Sequence, residues 1–287
     1  MNEEKIKHKG PFAEFWHRLK KNKLSLVGLG ILVFFIIIAI FADRIAPYGY
    51  AEQHLDKTFL LPCKEFLLGT DNLGRDIFSR IVYGSRVSLK IGFISILLAI
   101  TAGGVLGCIS GFYGGVAETI IMRIMDMMMA IPNVLMAIVI ASVLGTGVSN
   151  LIIAIGISSI PSFARIVRAS ILSIRDLEYV EAARLSCCSD FRIISKHILP
   201  NIMAPVIVQA TLSLGLAILS ASGLSFLGLG VQAPIPEWGA MLAAGRSYMS
   251  SYWHLVVFPG CAIVLVVLGV NMFGDGLRDA LDPRMKG

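Results

Sequence analysis

The residues that could do chemistry are few, and they do not form a catalytic set. The dipeptide Gly-Lys is absent, so the chain lacks the GxxxxGK[ST] loop that holds ATP phosphates in many proteins. The histidines are scattered, at His8, His17, His54, His197 and His254. No nucleophile–base set can be assembled around them. The long apolar stretches carry no Asp, Glu, Lys or Arg, which argues against an intramembrane protease and a proton-coupled transporter. We therefore predict a non-catalytic protein.

The cysteines and methionines lack metal-ligand spacing. No CxxC pair occurs, and we expect free thiols or small apolar side chains at Cys63, Cys108, Cys187, Cys188 and Cys261. Residues 122–129 (MRIMDMMM) contain five methionines, for which packing between membrane helices is a better explanation than soft-metal binding. We expect Arg123 and Asp126, three residues apart on a helix, to form an ion pair. No metal or cofactor is predicted to bind this chain.

Residues 69–76 (GTDNLGRD) contain acidic side chains that could bind a cation. They lack the alternating ligands of a calcium loop. A turn followed by a helix start is a better explanation, with Asp71 as the N-cap residue that accepts a backbone N–H.

The segment 179–201 (YVEAARLSCCSDFRIISKHILPN) is polar and amphipathic, with a long apolar stretch on each side. On a helix, Tyr179, Ala182, Ala183 and Ser186 lie along one side, a row of mostly small residues that another protein surface could approach closely. Glu181 and Arg184 flank this row.

A second short helix is predicted after this row. Ser189 is placed to cap it, and Asp190 in its first turn favours the positive end of the helix dipole. Leu199 and Pro200 then end this helix and begin the next apolar stretch. Two short helices, rigidly joined to the neighbouring spans, could transmit motion that a flexible loop could not. The alternative is an ordinary amphipathic surface helix.

The composition is that of a membrane protein, since 56% of the 287 residues are hydrophobic and only 15% are charged. A span needs about 20 apolar residues. We predict six spans, near 24–42, 88–111, 119–143, 151–168, 203–223 and 254–274. The turn signal GTGVSN at 145–150 separates the third span from the fourth. Close helix contacts are expected at Gly103, Gly104, Gly107 and Gly111, and kinks at Pro132, Pro161 and Pro205.

The distribution of Lys and Arg predicts that both termini lie in the cytoplasm. Segments 1–23, 112–123, 165–197 and 275–287 hold 17 of the 25 basic residues. The net charge of +6 therefore reflects membrane topology, and no nucleic-acid partner is predicted. We expect that residues 1–23 are not a cleaved signal, because their polar lead is long and the apolar stretch that follows is of span length. Their apolar residues (Phe12, Phe15, Trp16 and Leu19) have helical spacing, which favours an amphipathic helix on the membrane lipid over a disordered basic tail.

The order of several motifs resembles permease subunits of bacterial binding-protein-dependent ABC importers. EAA at 181–183, a turn four residues later and Ile-Leu-Pro at 198–200 resemble their cytoplasmic motif. The dipeptide/oligopeptide/nickel branch, second (C-type) permease, is indicated by five further segments. They are FWHRLKKNKLSLVGL (15–29), LLGTDNLGRDIFSRIVYGSRVSL (67–89), GFYGG with MRIMD (111–126), FLGLGVQAPIPEWGAML (226–242) and GDGLRDALDPRMK (274–286).

The resemblance implies a type I ABC importer permease fold, all-α and polytopic, in the inner membrane of a prokaryote. It implies an N-terminal interfacial helix (1–23) and a six-span domain (24–287) with outer loops at 43–87 and 224–253 and a coupling-helix loop at 169–200. The implied partners are a homologous permease forming a heterodimer, two ATPase subunits that hold ATP-Mg, and an extracytoplasmic binding protein.

The resemblance also assigns two groups of site residues. Those that couple to the ATPase are Tyr179, Glu181, Ala182, Ala183, Arg184, Cys187, Leu199 and Pro200. Those in outer loops facing the binding protein are Gly69, Thr70, Asp71, Gly74, Arg75, Asp76, Pro236, Glu237 and Trp238. The family has Gly where this chain has Cys187, a position that suits a left-handed turn.

The expected substrate is a di- or oligopeptide. Nickel, a metal chelate or another small solute such as glutathione is the alternative, although the spans contain no cluster of His, Cys and carboxylate side chains. A channel or scaffold that needs no ATPase is the alternative of a different class, and it predicts no partner at 181–183.

Overall fold

The computed structural model describes residues 19–20 and 22–281, and they form a bundle of α-helices. Among these residues the only strand-like pairing is an isolated bridge between Thr70 and Asp76. The predicted all-α fold is confirmed. The predicted amphipathic helix of residues 1–23 falls almost wholly outside the described residues.

Eleven α-helices follow one another along the described part of the chain, and the longest connection between them, residues 46–76, precedes the third. They are α1 (Lys23–Ile40), α2 (Ala42–Ile45), α3 (Ile77–Tyr113), α4 (Gly115–Met129), α5 (Asn133–Leu144), α6 (Val148–Leu172), α7 (Glu178–Leu185), α8 (Asp190–Ile193), α9 (Leu199–Phe226), α10 (Trp238–Gly245) and α11 (His254–Leu281). Helices α1, α3, α6 and α11, and the helical run Asp190–Phe226 that contains α9, are each long and apolar enough to cross a membrane. We call the end of the bundle that carries α7 and α8 the inner end, and the opposite end the outer end.

The third predicted span differs from the expectation of a single helix. Helices α4 and α5 meet at an angle of 90°, so residues 119–143 form a broken span. The break lies at Pro132, which has an extended backbone (ψ 133°). Proline disfavours helical geometry in the preceding residue and has no N–H for the helix ladder, so the expected kink at Pro132 is a full break. The predicted separation at 145–150 is confirmed, since α5 ends before Gly145 (φ 82°) and α6 begins after Gly147 (φ 132°).

Small residues let the long helices approach closely. A Cβ atom added at Gly103 would lie 2.7 Å from the carbonyl oxygen of Ile160, and one at Gly107 would lie 2.6 Å from that of Ala164. Gly111 is similarly close to α6, whereas Gly104 faces open space. Three of the four expected glycine contacts are therefore confirmed, and they join α3 to α6.

Buried side chains form two clusters. The larger one occupies the middle and the outer end of the bundle and includes Trp238, Phe163 and Ile218. The smaller one, which we call the inner cluster, consists of Phe112, Val167, Ile171, Val180, Ala183, Ile193, Ile198, Ile202 and Val206. The inner cluster joins residues of α3, α6, α7 and α9, so the short inner helices are packed onto three long ones.

Candidate functional site

The segment between α6 and α9 is a folded unit that is packed against the bundle. Two residues of α7, Val180 and Ala183, are buried in the inner cluster. They are three residues apart, so they lie on the same side of the helix. The predicted rigid connection to the neighbouring spans is confirmed, and it extends to the end of α3 through Phe112.

Polar contacts strengthen this connection. The guanidinium carbon of Arg184 lies 5.4 Å from the ring centroid of Phe112. Arg175, which precedes α7, donates a hydrogen bond to the carbonyl oxygen of Gly111 at 3.1 Å. On the other side, the side-chain amide of Asn201 donates to the Tyr179 hydroxyl at 3.4 Å. Each contact joins the inner segment to the end of a long helix.

The turn after α7 has the geometry predicted for Cys187. The residue has a left-handed backbone (φ 55°), and it lies one position beyond the C-cap residue Ser186. The N–H of Cys187 donates to the Arg184 carbonyl at 3.0 Å, and the N–H of Cys188 donates to the Ala183 carbonyl at 3.2 Å. These two bonds make a Schellman motif, in which glycine is the usual residue at the left-handed position.

The second inner helix continues directly into α9, which corrects the prediction that Leu199 and Pro200 separate them. A π-helical turn at Ile194–Ile198 connects α8 to α9, and the N–H of Leu199 donates to the Ile194 carbonyl. Pro200 follows at the start of α9, where its lack of an N–H interrupts the regular ladder. Ser189 occupies the N-cap position of α8 as predicted, but its side chain makes no capping hydrogen bond among the described residues.

The outer loop residues are also organised around buried polar contacts. Asp71 accepts hydrogen bonds from the backbone N–H groups of Leu73 and Arg75 and forms an ion pair with the Arg75 side chain at 2.7 Å. The prediction that Asp71 is the N-cap of α3 is therefore wrong. The N-cap is Asp76, whose carboxylate accepts a hydrogen bond from the Ser79 N–H at 2.8 Å. The buried Arg80 donates to the carbonyl oxygens of Tyr50 and Pro234, so it connects the two outer loops.

The second outer loop is anchored by Glu237 and Trp238, both fully buried. The Glu237 carboxylate caps α10 by accepting from the N–H groups of Gly239 (3.0 Å) and Ala240 (2.8 Å). Burial nevertheless raises the pKa of Glu237 above its ordinary value. The Trp238 indole donates to the Ile81 carbonyl at 3.1 Å.

The predicted partnership of Arg123 with Asp126 is wrong. Asp126 instead pairs with Arg165 of α6 at 2.6 Å, and Glu118 pairs with Arg168. Within residues 19–20 and 22–281, Arg123 has no ion pair. The same residues contain no group of three or more His, Cys, Asp or Glu side chains that could hold a metal ion.

Residues 103–287 match a protein family described as "Binding-protein-dependent transport system inner membrane component". The chain belongs to this family. Residues 10–62 also match the N-terminal transmembrane domain of oligopeptide transport permease C. The protein is thus a multi-pass inner-membrane permease of an ABC importer.

Individual relatives cover nearly the whole permease. The dipeptide transport system permease protein DppC of Alkalihalophilus pseudofirmus is 51% identical over 96% of this chain and 91% of its own length. The di/tripeptide transport system permease protein DppC of Pseudomonas aeruginosa is 46% identical over 96% and 93%. The glutathione transport system permease protein GsiD of Pectobacterium atrosepticum is 44% identical over 96% and 92%.

A solved structure shares the fold. The MetNI methionine ABC transporter in an inward-facing conformation superposes with a TM-score of 0.57 and 18% identity, over 71% of this chain and 96% of that chain. The similarity confirms the type I importer permease architecture predicted for this chain.

The residues predicted to face an ATPase do not all lie on the exposed surface of the inner segment. Ala182 is exposed, but Ala183 is buried in the inner cluster and does not belong to the outward face. Two residues not predicted from sequence are the most prominent there: Leu185 is 86% exposed and Phe191 is 80% exposed. Both are apolar residues of a polar segment, which is the signal that could have identified them: Leu185 falls outside the Val180–Ala183 side of α7, and Phe191 lies in the short helix α8.

The outer-loop residues predicted to face a binding protein also do not all lie on the surface. Among those predicted to face a binding protein, Thr70, Arg75, Asp76, Glu237 and Trp238 are buried. Their side chains determine the shape of the loops from inside and are not themselves contact surface.

Proposed function

We propose that this permease takes up short peptides, with dipeptides as the principal substrates. The observation that carries the proposal is the 51% identity, over nearly the full length of both chains, to a relative that is named as a dipeptide permease. A di/tripeptide relative at 46% identity supports the same class. The match of residues 10–62 to the N-terminal domain of oligopeptide transport permease C also supports the peptide class.

The importer that this permease serves would contain four kinds of subunit. A homologous permease forms the other half of the pathway, two ATPase subunits bind and hydrolyse ATP-Mg, and an extracytoplasmic protein delivers the peptide. This chain supplies no catalytic residue. Both of its termini lie in the cytoplasm, so the inner end of the bundle is cytoplasmic. The excess of Lys and Arg in segments at that end supports this orientation.

The ATPase would bind the outward face of the inner segment. We call Ala182, Leu185 and Phe191 the docking patch, since all three are exposed. Exposed apolar side chains of this size are unusual in a polar segment unless another protein covers them. Because α7 is fixed to α3, α6 and α9 by the inner cluster, a movement of the ATPase would reach three long helices at once.

The second permease would pack against the broken span. Helices α4 and α5 present a row of exposed apolar side chains, which we call the α4–α5 face: Val116, Ile120, Ile124, Met127, Val134, Leu135, Val139 and Val143. Among the described residues, only Met125, Ala137 and Ala141 of these two helices are buried. The pathway would then lie where the two permeases meet.

The binding protein would contact the outer loops. The buried contacts of Arg80 with Tyr50 and Pro234 hold the two loops together as one surface. The loop residues Leu55, Leu61 and Leu67 are exposed on that side of the chain.

The test is uptake of radiolabelled Ala-Phe by a strain that lacks this permease and is complemented with it. We expect ATP-dependent uptake that a substitution in the ATPase P-loop abolishes. Glutathione is a second candidate because of the relatives named GsiD, and unlabelled glutathione should compete if the two share this permease. Accumulation of Ni²⁺ or its chelate, without peptide uptake, would overturn the proposal.

A further inference from the structure

A charged cavity lies at the inner end of the bundle, outside the docking patch. It has a volume of about 490 Å³ and lies between the polar side of α4 and the last turns of α6. The charged side chains that line it are Glu118, Arg123, Asp126, Arg165 and Arg168. A cavity of this size is in the range that holds small-molecule ligands.

The charges in this cavity do not balance. Arg165 pairs with Asp126, and Arg168 pairs with Glu118, so both carboxylates are occupied. Arg123 is exposed and, in the described part of the chain, is left without an ion pair. Three guanidinium groups thus face two carboxylates, and one guanidinium is available to a negatively charged group from outside the chain.

The cavity borders the α4–α5 face. At 100° per residue, Arg123 lies at the boundary of the row of exposed apolar residues on α4, Asp126 lies farther round the helix, and Glu118 lies on the opposite side. A second permease packed on the apolar row would leave Arg123 at the edge of the contact. The cavity is therefore placed to open into a pathway between the two subunits.

We propose that this cavity is a transit site for the free carboxylate of the transported solute, with Arg123 as its binding residue. This rests on the peptide import proposed above. A guanidinium binds a carboxylate through two parallel hydrogen bonds. The excess positive charge of the cavity would attract this carboxylate, while Glu118 and Asp126 keep their own arginine partners. A metal cation gains nothing from a site with excess positive charge, so the cavity favours zwitterionic and anionic solutes over cations.

The test compares Ala-Phe with its C-terminal amide in proteoliposomes that contain the complete importer. The variants are Arg123→Gln, Arg123→Lys and, as the control, Lys90→Gln, which removes an exposed cation of α3 far from the cavity. Loss of one charge-assisted hydrogen-bonded pair predicts that Arg123→Gln lowers the ratio of acid to amide uptake by about tenfold. Arg123→Lys should retain most of the ratio, and Lys90→Gln should leave it unchanged. The affinity of the binding protein for each peptide is the same in every sample, so a change in ratio arises in the permease.

Three outcomes contradict the proposal. If the wild-type importer transports Ala-Phe but Arg123→Gln leaves the acid-to-amide ratio intact, the site is refuted while peptide import stands. Arg123 could instead bind the phosphate of an anionic lipid. In that case the effect of Arg123→Gln would appear with phosphatidylglycerol in the vesicles and vanish in pure phosphatidylcholine. Failure of the wild-type importer to transport either peptide would refute peptide import itself. If the Arg123→Gln importer does not assemble, Asp126→Asn is the second test variant. It frees Arg165 from its ion pair, so it should raise the ratio of acid to amide uptake.

Discussion

The guanidinium carbon of Arg184 lies 5.4 Å from the centroid of the Phe112 ring. Phe112 belongs to the last turn of α3, and Arg184 belongs to the last turn of α7. A cation over an aromatic face is attracted by the ring quadrupole. The contact therefore joins the helix that carries the docking patch to a helix that runs the length of the bundle, in addition to the burial of Val180 and Ala183.

Replacing Leu185 by Ser should separate ATPase binding from folding. The side chain is 86% exposed, so its loss should change the free energy of unfolding by no more than about 0.5 kcal/mol. If Leu185 is a central contact for the ATPase, the affinity should fall by about 2 kcal/mol, which is about thirtyfold. Co-purification of ATPase with the permease measures this. Leu227→Ser, which alters an exposed leucine at the outer end, is the matched control and should keep the ATPase bound.

The neighbouring alanines should respond differently to the same substitution. Ala183 is buried in the inner cluster, so Ala183→Arg places a bulky charged group there and should destabilise the segment by about 3 kcal/mol or more. Ala182 is exposed, so Ala182→Arg should leave the segment folded and only hold the ATPase away. Limited proteolysis between α6 and α9 distinguishes the two. Normal uptake in both variants would show that this segment does not transmit the ATPase movement.

The sequence was sufficient to predict most elements, because long apolar stretches in a membrane protein have few alternatives to helices. Pro132 predicts a kink, but the presence of a proline does not determine the angle between the helices it separates, which here is 90°. The coupling segment was found from its polarity, but which alanine faces outward depended on the direction in which α7 packs. A row of small residues does not reveal that direction.

Two of the wrong predictions rest on residue type and spacing alone, which do not determine the partner of a charged side chain. Arg123 and Asp126 are three apart, yet Asp126 pairs with Arg165 of another helix. Asp71 is a suitable N-cap by residue type, but the N-cap of α3 is Asp76, five residues later, and Asp71 instead holds a local turn together. The partner of Asp126 lies on another helix, so it cannot be predicted from one segment alone.

Substituting Cys187 by Gly should stabilise the turn after α7. Cys187 has a left-handed backbone, which costs a residue with a side chain about 1 kcal/mol relative to Gly. We expect Cys187→Gly to raise stability by that amount with transport intact, and Cys187→Val to lower it because a branched side chain tolerates this conformation less well. Thermal unfolding in detergent measures both. A loss of transport in Cys187→Gly would reveal a role for the thiol itself.

Thiol labelling should report the orientation in the membrane. Cys63 in the first outer loop and Cys187 in the inner segment are both exposed in the structure. A maleimide that cannot cross membranes should label Cys63 in intact cells and reach Cys187 only after the cells are opened. The variant Cys63→Ser should remove the signal from intact cells. Labelling of Cys187 from outside would reverse the proposed topology.

The buried Glu237 should make stability depend on pH. Burial raises its pKa above the ordinary value of 4.5, so the folded state holds its proton more tightly than the unfolded state does. The stability that this proton contributes is complete below the ordinary pKa and is lost as the pH rises through the raised pKa of the folded state. Glu237→Gln cannot ionise, and its single side-chain oxygen can replace one of the two carboxylate oxygens that accept from the Gly239 and Ala240 N–H groups. We therefore expect the thermal midpoint of the wild type, measured relative to that of Glu237→Gln, to fall as the pH rises above 4.5. A difference that stays constant across this range would show that the carboxyl titrates as it does in water, and that its capping bonds offset the cost of burial.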